Sequence, residues 1–408
     1  MTSTSESDEI FEGLELVPHY APIRRLADDA LVAVELQVRG RGDTALNTPK
    51  SLRRAARMMQ QTDVVDGRKL SFFNAAPAKT TVPTFATVDL LSPVHLTFAA
   101  PPEGHLLLSV DPGETFRRPR SVLDEVAAAR AAGRLICVDR LGLDDRALTL
   151  LWLIEPDVIF TPAELLARTR DPEIAGLAHA LAAHAERTGA LVIAEGVDSE
   201  ALRVAAQTVG ATHGMGALFP TAHSPALFAG EPLAALPPRD TAAGPAADDS
   251  ATTPYAIVSA SHVPRPGDKR LLIEMSKALA TQAAAAGPGT LVLGTFQEAR
   301  QFTPATARRW RSLADKAGFA GVYGVGLPQM LDGNVQHAPL DPDDDLVNEW
   351  TVVVLGPHAS ALLSARDRHE PVPDLDRTFD VVQSYNRDLA SRAAHAILAR
   401  FTTPRVAD

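Results

Sequence analysis

Several apolar runs in the first half of the chain end on a polar group that could do chemistry. Asn74 follows Lys69–Phe73 (KLSFF). Ser109 and Asp111 stand at the end of His105–Val110 (HLLLSV). Asp139 follows Arg134–Val138 (RLICV), and Glu195 follows Ala190–Ala194 (ALVIA). A single polar residue after a buried strand is ordinary turn chemistry. Several after successive parallel strands would converge on one mouth, and a rim of carboxylates and an amide is the material of which barrel active sites are built.

The elements that must position these groups are legible. Strand-like Leu31–Val38 is followed by a helical stretch, Lys50–Gln61, and KLSFF reads as the next strand. The helix Ser121–Ala132 stops at Gly133 before RLICV, and Asp157–Phe160 (DVIF) follows. The alanine-rich helix Glu173–Thr188 ends at Gly189, leads into ALVIA, and is followed by the helix Ser199–Val209 with its stop at Gly210. Gly216–Phe219 closes the series. Repeated strand–helix units with nearly continuous apolar strands imply an α/β fold with a parallel sheet wrapped by helices, here a barrel of the TIM type.

Length and composition bound the rest. The 408 residues suit two domains, and a 46% hydrophobic, 22% charged composition lets each bury a core. Residues 1–15 read as a flexible tail without the features of a signal peptide. Residues 229–254, rich in Ala, Pro, Asp and Thr, read as a linker between a first domain over 16–228 and a second over 255–402. A net charge of -11 argues against a general nucleic-acid or anionic-membrane binder, since either needs a basic face. No run approaches the roughly 20 apolar residues of a membrane span. The one cysteine, Cys137, lies in an apolar run and reads as a small buried hydrophobe, in keeping with a cytoplasmic protein.

Residues 19–220 resemble an EAL domain, the cyclic-di-GMP phosphodiesterase barrel of bacterial signalling proteins. His19-Tyr20-Ala21-Pro22-Ile23 is similar to the family's Tyr-Gln-Pro-Ile opening, with Ala21 in place of the Gln. Val34–Arg39 (VELQVR) falls where Glu-Ala-Leu-Leu-Arg is expected. Ala194–Asp198 (AEGVD) and Gly210–Phe219 (GATHGMGALF) are the most specific matches. The resemblance implies two-metal phosphodiester hydrolysis, which needs clustered carboxylate oxygens. Mapped by motif, Glu35, Asn74, Asp139 and Glu195 are kept. Ser109 stands where a Glu is expected, Arg140 where a second Asp is, Phe160 where a Lys is, and Met215 where a Gln is. The exchange moves the site by about two units toward positive charge. At an effective dielectric of about 20, a cation about 4 Å from a metal ion costs several kcal/mol per unit charge. The expectation is therefore no metal, no cofactor and no catalytic residue. Asp144 and Asp145 lie in a loop or helix start and read as caps. The segment between Glu35 and Asn74 looks short, so the barrel is expected to be incomplete. Arg39 matches a phosphate-contacting Arg of the family.

The second half reads as an α/β sandwich: helix Lys269–Ala285, strand Thr290–Phe296, a helix opened by Thr303-Pro304, strand Phe319–Val325, a central strand Trp350–Leu355 and a final helix Asn386–Phe401. Gly321, Gly324 and Gly326 read as a tightly packed strand, and Asp341–Asp345 as a solvated turn. This half resembles the DICT domain, a sensory module found beside cyclic-di-GMP enzymes and two-component proteins, through Gly294–Arg300 (GTFQEAR), Phe302–Thr306 (FTPAT) and Val354–His358 (VLGPH). Phe296, Gln297, Arg300 and His358 are the expected ligand-facing residues. The combined reading is a non-enzymatic signalling protein. A DICT-like sensor acts through an inactive EAL-like domain by contact with a protein partner or in a homodimer offered by the helix Glu173–Thr188. A cyclic-di-GMP receptor without hydrolysis is the first alternative. A weak hydrolase using Asp144 or Asp145 is the second.

Overall fold

A computed structural model describes residues 14–75, 82–98, 104–142, 145–236 and 252–401. In the first half, β1 (Leu16–Arg25), β2 (Leu31–Gly40), β3 (Thr84–Asp89), β4 (Gly104–Ser109), β5 (Leu135–Val138), β6 (Val158–Thr161), β7 (Leu191–Ala194) and β8 (His213–Gly214) form a closed barrel in chain order. The strands from β2 to β8 run parallel, whereas β1 is antiparallel to both β2 and β8. The turn joining β1 to β2 is too short for a crossover, so only a hairpin fits. Around the barrel lie α1 (Pro49–Met58), α2 (Thr62–Ala75), α3 (Pro112–Arg117), α4 (Pro119–Ala131), α5 (Asp145–Leu153), α6 (Pro172–Thr188) and α7 (Glu200–Val209).

Two expectations are corrected here. The barrel is closed rather than incomplete, because α1, α2 and β3 together build the wall expected to be short. KLSFF is not a strand: it lies in α2, and the next strand is β3 (TFATVD). Val65, Asp66, Lys69, Leu70 and Phe73 are the buried residues of α2, a spacing of three and four that belongs to a helix face.

Along the strands, side chains alternate between two apolar groups. Ile23, Ala33, Phe85, Leu107, Cys137, Phe160, Ile193 and Met215 fill the barrel interior. Val34, Leu36, Ala86, Leu106, Leu108 and Val192 pack outward against the helices. Beyond β8 the chain continues along the barrel: Ala234 N–H donates to Leu31 O (2.8 Å), and Leu236 packs on the interior cluster. Of the stretch expected to be a linker, 237–251 lies outside the described residues, as do 1–13 of the tail.

The second half comprises α8 (Pro254–Ser259), β9 (Arg265–Asp268), α9 (Lys269–Ala286), β10 (Leu291–Glu298), α10 (Pro304–Ala314), β11 (Phe319–Val325), β12 (Met330–Asp332), β13 (Val335–Pro339), β14 (Glu349–Leu355), β15 (Ser360–Asp367), β16 (Thr378–Ser384) and α11 (Arg387–Leu398). Its strands form one mixed sheet in the order β12-β13-β11-β10-β14-β15-β16-β9. One face carries Val292, Val322, Val352 and Leu363 and is covered by α9 and α10. The other carries Leu291, Leu293, Tyr323 and Val353 and belongs to the same apolar core as the barrel's outer layer.

The two halves therefore share a core. Phe116 stacks on Phe319 with ring centroids 4.1 Å apart. Trp152, fully buried on α5, donates its indole N–H to Gly289 O at 2.7 Å. His179 of α6 faces His358 at 6.5 Å between ring centroids, so part of the alanine-rich helix is engaged within the chain. No helix among the described residues is long and apolar enough to cross a membrane.

Candidate functional site

At the C-terminal ends of β2, β5 and β7 a cleft of about 510 Å3 opens over the barrel, with Glu35, Gln37, Arg140, Glu195, Gly196 and Met215 in its lining. Its remaining wall is α1. Thr48 caps this helix by accepting the Ser51 N–H, and Pro49 opens it. Lys50, Arg53, Arg54 and Arg57, spaced three and four apart along α1, line the cleft beside Arg140. Five cations thus face the two carboxylates of Glu35 and Glu195.

The remaining acids are already engaged. Asp139, 8% exposed at its side chain, forms an ion pair with Arg53. Glu195 Oε2 lies 3.4 Å from Arg140 Nη1, and Arg140 Nη2 reaches Glu164 at 3.1 Å. Arg140 holds this place at a φ of 61°, a left-handed conformation uncommon outside glycine. Burial and the nearby Glu35 push the Glu195 carboxyl up to about 7, against the pull of Arg140. Glu35 accepts from Gln37 Nε2 at 2.8 Å and from Thr87 Oγ1 at 3.5 Å.

Beside the cleft, sharing Arg53 and Arg57 with it, lies a small chamber of about 30 Å3 whose lining includes Asp66, Lys69, Thr87, Asp89, Ser109 and Asp139. Lys69, fully enclosed on α2, donates to Thr87 O at 2.6 Å. Burial and the charge of Arg53 pull its ammonium down to about 8, while Asp66 and Glu35 favour the charged form. Asp66 accepts the Asp89 N–H at 2.9 Å, and its carboxyl is raised by burial.

The expected site residues are thus partly brought together. Glu35 and Glu195 meet in the cleft, and Ser109 and Asp139 line the chamber beside it. Asn74 does not join them: it is exposed near the end of α2, and Thr87 of β3 faces Glu35 instead. Phe160 and Met215 are buried in the barrel interior, apolar where the resemblance implies a proton-handling and a hydrogen-bonding group. Arg39 is half-buried on β2 and does not line the cleft. Its charge falls on His19, whose pKa it lowers together with burial. Asp111 caps α3 by accepting the Glu114 N–H at 3.0 Å. Asp144 lies outside the described residues, and Asp145 opens α5. The Cys137 thiol is buried and shifted upward by desolvation. The basic stripe on α1 was missed, although its spacing of cations could have shown it.

In the second half, Phe296 and Gln297 line a cavity of about 290 Å3. Arg300 lies in a separate surface hollow and pairs with Glu298 at 2.7 Å. His358 stands apart from both, against His179. In the acidic run, Asp344 pairs with Arg400 at 2.8 Å.

Comparison with protein-family models matches residues 50–222 to the EAL domain and residues 257–368 to DICT, described as a sensory domain in diguanylate cyclases and two-component systems. The chain carries an EAL domain followed by a DICT domain. The EAL match begins at α1, so the place of Glu35 in the site rests on barrel geometry. No curated protein matches. Among solved structures, the EAL domain is similar to the FimX EAL domain of Xanthomonas citri in complex with c-diGMP, at 15% identity and a TM-score of 0.41 over 51% of this chain and 88% of that one. It is similar to FimX from Pseudomonas aeruginosa bound to c-di-GMP, at 15% identity and 0.41, over 52% and 92%. It is also similar to a manganese/cy-diGMP complex of Klebsiella pneumoniae BlrP1, at 18% and 0.41, over 52% of this chain but only 57% of that one.

The donor set of the EAL domain does not fit a pair of divalent ions. Hard cations need several convergent carboxylate or carbonyl oxygens. Among the described residues no three of His, Cys, Asp and Glu are so grouped. Ser109 and Arg140 stand where the resemblance implies a Glu and an Asp, and Arg53 and Arg140 pair with Asp139 and Glu195.

Proposed function

We propose that this chain is a cytoplasmic signalling protein in which the DICT domain receives an input and the EAL domain relays it without hydrolysing cyclic-di-GMP. The observation that carries this reading is the pairing of Asp139 with Arg53 and of Glu195 with Arg140. These resident cations take the counter-charge that metal ions supply in two-metal hydrolysis. Transmission from the DICT domain to the EAL domain is supported by their shared core: a shift in the DICT domain presses on α3 and α5 of the barrel, from which the signal passes to a partner or a second copy. Adding Mn2+ in a calorimeter should give no heat of tight binding, and Glu35→Ala should leave the trace unchanged. Stoichiometric Mn2+ uptake lost in that variant would contradict the reading.

The cleft itself favours a second reading, a cyclic-di-GMP receptor without turnover. Lys50, Arg53, Arg54, Arg57 and Arg140 present the cationic wall that a dianionic nucleotide requires. Calorimetry with cyclic-di-GMP in excess chelator separates the two. A pure relay gives no binding. A receptor binds without metal and weakens at least tenfold in Arg54→Gln/Arg57→Gln.

A further inference from the structure

We infer that the cavity between α9, α10 and the ends of β10 and β14 is the DICT domain's ligand site, and that it takes a small planar aromatic carboxylate. The inference rests on the DICT domain being the input half and gives that input a chemical class.

The floor is aromatic. Phe296, after Thr295, and Trp350, before Thr351, stand just beyond the last pair of the β10–β14 ladder and both line the cavity. Phe296 is braced edge-on by Phe302 (5.1 Å between centroids) and Trp310 (6.2 Å), and Trp350 by Phe379 (6.2 Å). A fixed ring surface of this kind favours stacking of a flat ligand. At about 290 Å3 the cavity lies at the small end of ligand pockets, suited to one or two fused rings.

The charge is cationic and one cation is unspent. Lys269, Lys277 and Arg309 line the cavity against a single carboxylate, Asp374. Lys269 is engaged by Asp374 at 2.6 Å and Gln301 at 3.1 Å, and Lys277 pairs with Glu274 at 2.6 Å. Arg309 has no ion pair among the described residues, and its Nε is shielded from water without a hydrogen-bond partner. Burial lowers its pKa, and the charge of Glu274 opposes this. A half-buried guanidinium at the cavity wall with no counter-ion among the described residues favours an anionic partner. A guanidinium suits a carboxylate, which it engages through paired N–H groups.

The test uses the full chain and three probes in calorimetry: indole-3-carboxylate, benzoate, and uncharged indole-3-carboxamide. The indole acid should bind saturably, one per chain, at least tenfold tighter than the amide. Benzoate should bind more weakly than the indole acid. Arg309→Gln should abolish the acid–amide preference, with an unchanged circular dichroism spectrum. Equal affinity for acid and amide in the parent protein, or no saturable binding of either carboxylate up to about 5 mM, would overturn the proposal. These readouts record binding alone, so a failure of the relay reading would leave them intact.

Discussion

At the scale of the residue, the EAL mouth is governed by where cations sit. Sequence alone placed Arg140 beside the acids of the mouth, because it directly follows Asp139 and the strand end fixes its position. It could not show that Arg53 reaches Asp139 from another element, since that contact depends on how α1 folds over the mouth. Glu195 gives a direct check. Its folded value of about 7 lies above its ordinary 4.5, so it has no effect on stability below about pH 4.5. Between about pH 4.5 and 7 the unfolded chain ionises while the folded one keeps its proton, so the penalty grows across that window and levels off above it. Glu195→Gln should therefore gain about 1–3 kcal/mol on the parent between pH 5 and pH 8, measured by urea unfolding at each pH. In Arg140→Gln the Glu195 midpoint should move upward, read by carboxyl carbon NMR, because the lowering charge is gone. The residue after Glu195 is as constrained. Gly196 has a φ of 74°, and a Cβ there would collide with Ala163. Gly196→Ala should cost about 2 kcal/mol or more in thermal unfolding.

At the scale of the element, patterning sufficed for long periodic segments and failed for short buried ones. The strands β4 to β7, and the helices α4, α6, α7, α9 and α11, were all legible from apolar runs and their stops. KLSFF misled because its phenylalanines look strand-like, yet its buried positions follow the turn of a helix. The strand actually used, β3, carries Thr84 and Thr87 among apolar residues and lacks a clean signal. That exchange removed Asn74 from the site and put Thr87 opposite Glu35. The basic stripe of α1 was readable in principle as cations at a helical spacing, but only the closed barrel shows that the stripe faces the mouth. The first turn of α1 is closed by the Thr48 cap. Thr48→Ala should lower stability by about 1 kcal/mol in chemical unfolding, with Thr48→Ser close to the parent.

At the scale of the whole molecule, the domain order was legible but the shared core was not. Trp152, Phe116 and Tyr323 look like ordinary core residues of separate halves, and nothing in their local pattern says that they meet. The contact makes the EAL and DICT domains one folding unit at their boundary. Trp152→Ala removes a fully buried side chain and its bond to Gly289, and should cost about 3–5 kcal/mol while splitting a single calorimetric transition into two. If resident cations stand in for the metal pair of the EAL domain, the purified full chain incubated with cyclic-di-GMP and Mn2+ or Mg2+ leaves the dinucleotide intact, as chromatography of the products resolves. The expected result is no linear dinucleotide above the protein-free control. Metal-dependent formation of the linear product, abolished by Glu35→Ala, would contradict it.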